Sequence, residues 1–378
     1  MKLSLLSLAT AGLALALAVL APQAGAAGFD CAKASTSVEK AVCNAPKLSA
    51  QDDELNRRYN GLKHLQVFRL LQVRWLREVR DTCTSDDCLE GAYRAQLKML
   101  APLPIPPAPG KNQLLPMDPT RQYRLDEAEH WQRFPLASFP AVAPRGDKQI
   151  VDAQVIDGVL RVVLFTGLYQ QEQGGFVGTL YEYADDQPGM YPIARDIAFT
   201  GWAAQGNNDQ GLRFAGFDGG LLYYRQRIGG DLQQSMTYRL GSRSAPEASL
   251  KSYQTPSNTL RHARARVGQD LNVDNYSLSL DYDQQSHNTY SENVTAHNDT
   301  EEGWSIVNPT WSATRPIMYF DNEGPRACIW RVDTQYKTLF KIVPEHDAVS
   351  ARPVDLHGRE AVVYLEGDQL KFAFKYDD

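Results

Sequence analysis

The sequence lacks the short motifs that mark the common classes of hydrolases and nucleotide-binding enzymes. It contains no G-x-S-x-G elbow, no H-E-x-x-H, no Walker loop and no S-x-x-K with its usual partners. Its seven histidines are scattered, and no two stand at the spacing of metal ligands: His64, His130, His262, His287, His297, His346 and His357. We therefore expect no catalytic residues, no metal and no cofactor, and a protein that is not an enzyme.

Basic charge is also scarce. The chain has 39 Lys and Arg against 45 Asp and Glu, a net charge of −6. Since an acidic protein repels phosphate backbones, this balance argues against a nucleic-acid partner. Beyond residue 20 no apolar run approaches the length of a membrane-spanning helix, so we expect no stable membrane insertion.

The first residues are nearly free of charge. After Lys2 no charged residue occurs before Asp30, residues 3–20 are almost wholly apolar, and Ala24-Gly25-Ala26 offers the small residues that signal peptidase requires. An uncleaved anchor helix is the alternative, which the apolar length permits. The pattern favours a cleaved signal peptide at residues 1–26 and a periplasmic protein.

Cysteines are few and unevenly placed. Four of the five, Cys31, Cys43, Cys83 and Cys88, lie within one short window, and Cys328 stands alone in an alternating apolar stretch. Four cysteines can be joined by two disulfides in three ways. We favour the arrangement in which both bonds are local, Cys31–Cys43 and Cys83–Cys88. A zinc site is the rival interpretation, but the spacings differ from those of zinc knuckles. We expect Cys328 to be a buried thiol.

The window that holds the four cysteines has helical periodicity. Thr36 and Glu39 fit a capping box, Ser49 can cap a second helix, and Asp81 follows a third. Apolar residues that recur at helical spacing mark the third and fourth helices: Val67, Leu71, Trp75 and Val79, then Leu89, Tyr93, Leu97 and Leu100. Residues 27–100 are therefore predicted to form a small helical module stapled by disulfides.

The same window resembles a known family. It carries Phe-Asp-Cys-x-Lys-Ala-x-Thr-x-x-Glu-x-x-x-Cys at residues 29–43, Leu-Ser-x-x-Asp at 48–52, Gln-x-x-Trp-Leu-x-x-x-Arg-Asp-x-Cys at 72–83 and Cys-Leu-x-x-x-Tyr at 88–93. This pattern is similar to the LprI-like lysozyme-inhibitor N-terminal domain. Gln96 departs from it, since the family tends to carry arginine there. The resemblance implies a secreted or periplasmic protein, and one family member inhibits lysozyme.

A different composition follows the helical module. Five prolines within residues 101–110 predict an extended spacer, which we place at residues 101–119. Residues 120–378 alternate in the manner of strands, with turn signals such as Asp157-Gly158. Aromatic strands recur every 40 to 60 residues, at 180–183, 237–240, 279–282 and 329–332. We predict a multidomain protein with a large all-β C-terminal domain, either propeller-like or a sandwich or meander.

One stretch of the β-rich part resembles a calcium-binding loop. Residues 270–281 carry Asp270, Asn272 and Asp274, but Asn275 occupies the glycine position and Asp281 the glutamate position. The flanking residues alternate like strands. We therefore expect no calcium site there.

Polar loops of the β-rich part carry the candidate partner-binding residues. Tyrosine and tryptophan on loops held by a rigid β scaffold are typical of binding surfaces. The residues that we select are Tyr169, Glu172, Asp299, Glu301, Glu302 and Trp304. We expect them to contact a protein partner, a hydrolytic enzyme that acts in the periplasm.

Two functions are compatible with these features. The first is a non-enzymatic protein that inhibits an envelope-attacking hydrolase, either of lysozyme type or a secreted toxin such as a lipase or phospholipase, in which case it is an immunity protein. The alternative is a periplasmic hydrolase or glycan-binding protein whose site lies in β loops. Its carboxylate pair would come from Asp281, Asp283, Asp299 and Glu301.

Overall fold

A computed structural model of the protein describes residues 28–104, 107, 117–126, 129–141, 146–171, 175–199, 215–218, 220–229, 232–250, 259–260, 263–270, 275–283, 289–296, 298, 300, 303–322, 327–344 and 347–375. The chain divides into two compact units. The first comprises the described residues up to Asn60 together with Trp75–Leu100, and the second comprises Gly61–Arg74 and the described residues from Ala101 onward. No helix among the described residues is long and apolar enough to cross a membrane.

The helices lie between residues 31 and 100. A short 3-10 turn at Cys31–Lys33 precedes α1 (Ser37–Asn44), α2 (Pro46–Leu62), α3 (Gln66–Trp75), a π-helical turn (Leu76–Arg80) and α4 (Asp86–Leu100). The predicted capping box at the start of α1 is confirmed. The Glu39 amide donates to Thr36 Oγ1 at 3.1 Å, and the Thr36 amide donates to the Glu39 carboxylate at 2.9 Å. These contacts lower the pKa of Glu39 to about 2.

Two details of the helices differ from the prediction. Helix α2 begins at Pro46 rather than at Ser49, which is buried inside the helix. A proline is accommodated in the first helical turn, where its missing amide hydrogen has no partner to lose. Val79 is 43% exposed, because the π-helical turn rotates it out of the stripe begun by Trp75.

The cysteines of the helical unit form the two local disulfides, as predicted. Cys31 is bonded to Cys43, with Cα atoms 5.8 Å apart, and Cys83 to Cys88, at 5.5 Å. Each bond closes a short loop in a unit whose helices alone would give a marginal core. Since disulfides persist in oxidising compartments, the protein belongs to such a compartment.

The second unit is built from antiparallel sheets. Before them lie β1 (Arg124–Leu125) and β2 (Trp131–Ser138). Sheet 1 contains β3 (Asp147–Ile156), β4 (Val159–Gln170), β5 (Gly175–Ala184) and β6 (Gln187–Phe199). Sheet 2 contains β7 (Ala215–Asp218), β8 (Leu221–Gly229), β9 (Leu232–Arg239) and β10 (Glu247–Ala248). Sheet 3 contains β11 (Thr259–Leu260), β12 (Ala263–Asp270), β13 (Asn275–Asp283) and β14 (Thr289–Asn293). Sheet 4 contains β15 (Ile306–Trp311), β16 (Ile317–Asn322), β17 (Cys328–Asp333) and β18 (Thr338–Val343). Sheet 5 contains β19 (Ala348–Leu356), β20 (Arg359–Glu366) and β21 (Gln369–Lys375).

Each of these five sheets is a meander in chain order. Strand β1 adds to the outer side of sheet 4, in parallel with β18. Strand β2 completes sheet 5 by pairing with β21, so the first long strand of the unit closes the last sheet. Successive four-stranded meanders, the last completed by an N-terminal strand, are the blade organisation of β-propellers. The prediction of a disulfide-bonded helical module followed by a large all-β domain, propeller-like or a sandwich or meander, is confirmed.

The residues in the β-hairpin turns have the backbone angles that these turns require. Asp157 and Gly158 join β3 to β4 with φ angles of 51° and 79°, the left-handed pair that a two-residue hairpin requires. Gly367 joins β20 to β21 with φ 55°. These turns set the register in which alternate side chains enter the core, and so place the buried residues of each sheet.

Buried ions join neighbouring sheets of the second unit. Glu182 in sheet 1 accepts hydrogen bonds from Arg161 at 3.0 Å and from the Tyr238 hydroxyl of sheet 2 at 2.9 Å. Lys337, which precedes β18 of sheet 4, pairs with Glu292 of sheet 3, and both side chains are almost fully buried. A buried charge that lost its partner would be strongly destabilising, so these pairs hold specific sheets together.

Asp321 links sheets 4 and 5 at two β-bulges. Its carboxylate accepts the amides of Ser350 at 2.6 Å and Ala351 at 3.0 Å, and the Asn308 side chain at 2.8 Å. Asn308 and Ser350 have φ angles of 52° and 63°, and each lies at a register shift between its strand and the next. Burial raises the pKa of Asp321. The carboxylate thus stabilises backbone that most side chains avoid.

Asp185, in the β5–β6 turn, receives the N-terminus of α3. Its backbone carbonyl accepts the Gln66 amide at 2.9 Å, and its Oδ1 accepts the Val67 amide at 3.0 Å and the Tyr183 hydroxyl at 3.1 Å. These bonds satisfy amides that a helix start leaves unpaired. The carboxyl is completely buried, and this burial raises its pKa to about 6.

The raised pKa of Asp185 predicts that acid stabilises this contact. The folded pKa, about 6, exceeds the ordinary value of 3.8, so its contribution is complete below the unfolded pKa and is lost as pH rises through 6. The Asp185→Asn protein should therefore be more stable than the wild type at pH 7.5, by up to about 3 kcal/mol. Urea unfolding at pH 7.5 and at pH 4.5 measures the free energy of unfolding of the wild type and of Asp185→Asn.

The difference between the two proteins should shrink toward pH 4.5, where the wild-type carboxyl is protonated. Asp157→Asn, in an exposed turn that tolerates asparagine, is the matched control and should show no such trend. A stability difference for Asp185→Asn that does not change with pH would contradict the assignment.

Candidate functional site

The candidate site is a cavity of about 490 Å³ in the second unit. Its volume lies in the range typical of small-molecule sites. The lining combines charged, polar and apolar side chains from sheets 4 and 5 and from the segment before β1: Leu103, Pro104, Arg315, Pro316, Ile317, Arg331, Asp333, Gln335, Tyr336, Gly358, Glu360 and Lys375.

Arg331 is the central cation of this cavity. Its side chain is 3% exposed and contacts three carboxylates. Nε donates to Glu360 Oε1 at 2.6 Å and Nη2 to Glu360 Oε2 at 3.1 Å, a bidentate pair. Nη2 also contacts Asp333 Oδ2 at 3.4 Å, and Nη1 donates to Glu129 Oε1 at 3.1 Å.

The strand pattern explains how these groups meet. Arg331 and Asp333 stand two residues apart on β17 and so share a face. Tyr319 is the cross-strand partner of Arg331 on β16, and its hydroxyl donates to Glu360. Glu129, just before β2, also accepts Lys375 Nζ at 2.7 Å. The cluster therefore joins sheet 4 to β20, to β21 and to the start of β2 in sheet 5.

The wall of the cavity beside this cluster is formed by a close approach of two segments. The Leu103 amide donates to the His357 carbonyl at 3.2 Å. Gly358, with φ 77°, lies so near the Leu103 carbonyl that a Cβ atom would be 2.1 Å from its oxygen. Only glycine fits this turn. Arg315 fixes the same turn by donating to the Gly358 carbonyl at 3.0 Å and to Asp355 at 3.1 Å.

The two carboxyl groups that line the cavity have oppositely displaced pKa values. Burial raises the pKa of Asp333, and the attraction of Arg331 offsets only part of that effect. Burial would also raise the pKa of Glu360, but Arg331, Lys375 and the Tyr319 hydroxyl together hold it below its usual range. One guanidinium thus contacts one carboxyl whose pKa is raised and one whose pKa is lowered.

The residues selected from the sequence lie elsewhere. Tyr169 is 56% exposed near the end of β4, with its ring edge-on to Phe176 at 5.2 Å. Trp304 is a core residue, 5% exposed, whose Nε1 donates to the Asn298 carbonyl at 2.7 Å. Its burial removes it from the surface on which a partner would bind. The other four, Glu172, Asp299, Glu301 and Glu302, lie outside the described residues.

The other candidates from the sequence are the carboxylates of β13, the calcium-like loop at residues 270–281 and the thiol of Cys328. The side chains of Asp281 and Asp283 lie outside the described part of the chain, although both residues belong to β13. Residues 271–274 are also outside it, and Asp270 pairs with Asn275 in the β12–β13 hairpin. No group of three potential metal ligands occurs among the described residues. Cys328 is 1% exposed, a buried thiol as predicted.

Sequence reasoning did not select Arg331, Asp333 or Glu360 as functional residues. One signal was available, because Arg331 stands between Trp330 and Val332 in a mostly apolar strand. A charge at such a position is buried, and a buried charge requires a partner. The partners themselves could not be identified, since Glu360 is 29 residues away and Glu129 is 202 residues away.

Comparison with known proteins gives structural neighbours only. No family model matches the sequence, and no curated protein matches it. The chain is similar to a Trypanosoma rangeli sialidase bound to 2,3-difluorosialic acid, with 9% identity, TM-score 0.27, and 66% of this chain and 59% of that chain covered. A GH43_1 enzyme from Xanthomonas citri is 12% identical, with TM-score 0.28, and the match covers 64% of this chain and 89% of that chain. An endo-arabinase from Bacteroides thetaiotaomicron is 13% identical, with TM-score 0.25, and the match covers 65% of this chain and 98% of that chain.

These neighbours correct the functional prediction. All three are named as enzymes, so the predictions of a non-enzymatic inhibitor, of an immunity protein and of a chain that is not an enzyme are wrong on this comparison. The names of these neighbours agree better with the alternative, a hydrolase or glycan-binding protein. At these TM-scores the likeness carries no argument about activity, which must come from the cavity. The resemblance of residues 29–100 to LprI-like domains stays a prediction.

The carboxylates around Arg331 predict a large effect of removing the cation. Arg331→Met should destabilise the protein by about 3 to 5 kcal/mol, because buried carboxylates then lose their partner. Urea unfolding at pH 7 measures the change. Arg225→Met, at an exposed position of β8, is the control and should change stability by less than about 0.5 kcal/mol. A loss below about 1 kcal/mol for Arg331→Met would show that the cluster is not coupled as described.

Proposed function

We propose that the second unit is a glycoside hydrolase whose site is the cavity beside Arg331. One observation carries the proposal: Asp333 and Glu360, with pKa values displaced in opposite directions, meet at one guanidinium on the wall of a 490 Å³ cavity. Two carboxyl groups of unlike pKa are the usual means of cleaving a glycosidic bond.

The separation of the two carboxyl groups favours direct attack on the sugar. Both lie against Arg331 Nη2, at 3.4 Å for Asp333 Oδ2 and 3.1 Å for Glu360 Oε2. Their oxygens are therefore at most about 6.5 Å apart, which leaves little room for an intervening water and suits a retaining mechanism.

Each residue then has a defined role. Protonated Asp333 donates its proton to the glycosidic oxygen while the Glu360 carboxylate attacks the anomeric carbon, so the leaving sugar departs as an alcohol and a glycosyl ester forms. Asp333, now ionised, takes a proton from water, whose oxygen displaces Glu360 from the carbon. Arg331 and Tyr319 are positioning residues, since they hold the Glu360 carboxylate in place.

The rim of the cavity suits a sugar ligand. Tyr336 lines the cavity and is 59% exposed, so its ring is available to stack against an apolar side of a pyranose. Gln335, Lys375 and Arg315 also line the cavity, and Lys375 and Arg315 are held there by Glu129 and Asp355. Polar groups around one aromatic platform are what a polyhydroxylated ligand requires.

We extend the proposal to the compartment. The two disulfides support an exported protein, and the cleaved signal peptide at residues 1–26 and a periplasmic location are part of this proposal. Residues 1–26 lie outside the described residues. A glycan substrate of the cell envelope would be available there.

The activity is tested on the purified protein with a panel of polysaccharides and aryl glycosides, by release of reducing ends. We expect turnover that Asp333→Asn and Glu360→Gln each lower at least about 100-fold, because each removes one proton-transfer or attacking group. Asp157→Asn is the control and should keep full activity. Thermal unfolding of each variant verifies the fold.

Two outcomes would overturn the proposal. One is turnover that folded Asp333→Asn and Glu360→Gln proteins retain. The other is saturable binding of a glycan with no turnover in the wild type, which would make the protein a glycan-binding protein rather than a hydrolase.

A further inference from the structure

The cations of the cavity beside Arg331 are already paired within the protein. Among the described residues of its lining, the cations are Arg315, Arg331 and Lys375. Arg331 contacts three carboxylates. Lys375 Nζ donates to Glu129 Oε1 at 2.7 Å, and Arg315 Nε donates to Asp355 Oδ1 at 3.1 Å. Each of these cations therefore has a carboxylate partner before any ligand enters.

The carboxylates of the cavity are paired in the same way. Asp333 and Glu360 line it, and both contact Arg331. A cation bound to a nearby carboxylate leaves little positive potential for a ligand, and a further carboxylate brought to the same place is repelled by those already present. The cavity thus presents no surplus of positive charge among its described residues.

An acidic sugar could pair with a cation of this cavity only by breaking one of the existing pairs. The carboxylate of a uronic acid loses water when it enters, and a buried charge without a partner is strongly unfavourable. Drawing Arg331 away from Glu360 would leave an almost fully buried carboxylate without its cation. An uncharged sugar requires neither exchange.

The rest of the lining suits an uncharged ligand. Leu103, Pro104 and Pro316 are apolar, and Gln335 carries an uncharged amide. Tyr336 is the most exposed aromatic residue of the lining. Apolar surface together with a few polar groups matches the C–H faces and the hydroxyl groups of a neutral sugar.

We propose that the cavity beside Arg331 takes uncharged sugar units, and that the pairing of its cations with carboxylates excludes acidic sugars such as uronic acids. This inference rests on the proposed function, because it names the substrate class of the same site. Arg315 makes it testable. Besides its contact with Asp355, it donates to the Gly358 carbonyl at 3.0 Å, so the guanidinium should stay in the lining when Asp355 loses its charge.

Titration calorimetry on the full protein at low ionic strength compares two matched pairs of probes. The pairs are methyl glucoside with methyl glucuronide, and methyl galactoside with methyl galacturonide. The members of a pair differ only in whether C6 is a hydroxymethyl group or a carboxylate. In at least one pair we expect the neutral sugar to bind at least about 10-fold more tightly than the uronide, because the carboxylate finds no free cation.

Asp355→Asn should reduce this preference. It removes the partner of Arg315, so the uronide should bind about 10-fold more tightly than it does to the wild type, whereas the affinity for the neutral sugar should stay the same. The new amide oxygen can still accept the Thr314 hydroxyl, as the carboxylate does. Asp355→Asn combined with Arg315→Gln should bind the uronide as weakly as the wild type, because the freed cation is gone.

The control is Asp157→Asn, the same change in an exposed turn, which should keep the wild-type preference. Thermal unfolding verifies the fold of each variant. Equal or tighter binding of the uronides by the wild type would overturn the proposal, and so would binding of no neutral probe. A folded Asp355→Asn protein with unchanged affinity for the uronide would overturn it as well.

Failure of the hydrolase proposal gives a different result. In that case the neutral sugars would still bind in preference to the uronides, and Asp355→Asn would still strengthen uronide binding, but no glycoside would be turned over. The calorimetric comparison supports the selection of uncharged sugars in that event too, because it measures binding alone.

Discussion

The contact of Arg331 with three carboxylates is the constraint on which the second unit depends. It joins β17 of sheet 4 to β20 of sheet 5, and through Glu129 to the segment before β2, the strand that completes sheet 5. A guanidinium taken out of water requires full pairing, and each of these carboxylates requires a cation. The cluster therefore fixes how sheets 4 and 5 pack against each other. As a consequence, it also fixes the shape of the cavity beside it.

Buried carboxylates with defined hydrogen-bond donors occur at several other places in the unit. Glu182 joins sheets 1 and 2, and Glu292 with Lys337 joins sheets 3 and 4. Asp321 supports one bulge within sheet 4 and one within sheet 5. Asp185 receives the start of α3. Apolar packing between sheets is non-directional, whereas a buried carboxylate accepts hydrogen bonds only from defined donors. These groups give the sheets their specific arrangement.

The cavity beside Arg331 depends on closely matched charges. Arg331 contacts Glu129, Asp333 and Glu360, and among these the pKa of Asp333 is raised while that of Glu360 is lowered. Carboxyl groups whose pKa values are displaced in opposite directions are suited to acid–base chemistry.

The sequence alone determined the elements whose causes are local. The capping box at Thr36, the disulfides within 12 and 5 residues, the Asp157-Gly158 hairpin and the alternation of the strands depend on near neighbours, and they were predictable. Burial of Trp304, the meeting of Arg331 with Glu129 across 202 residues and the capping of α3 by Asp185 across 118 depend on how the sheets pack. Alternation indicates that a side chain is buried, but tertiary packing selects its partner, because residues distant in the chain are brought together only when the sheets assemble.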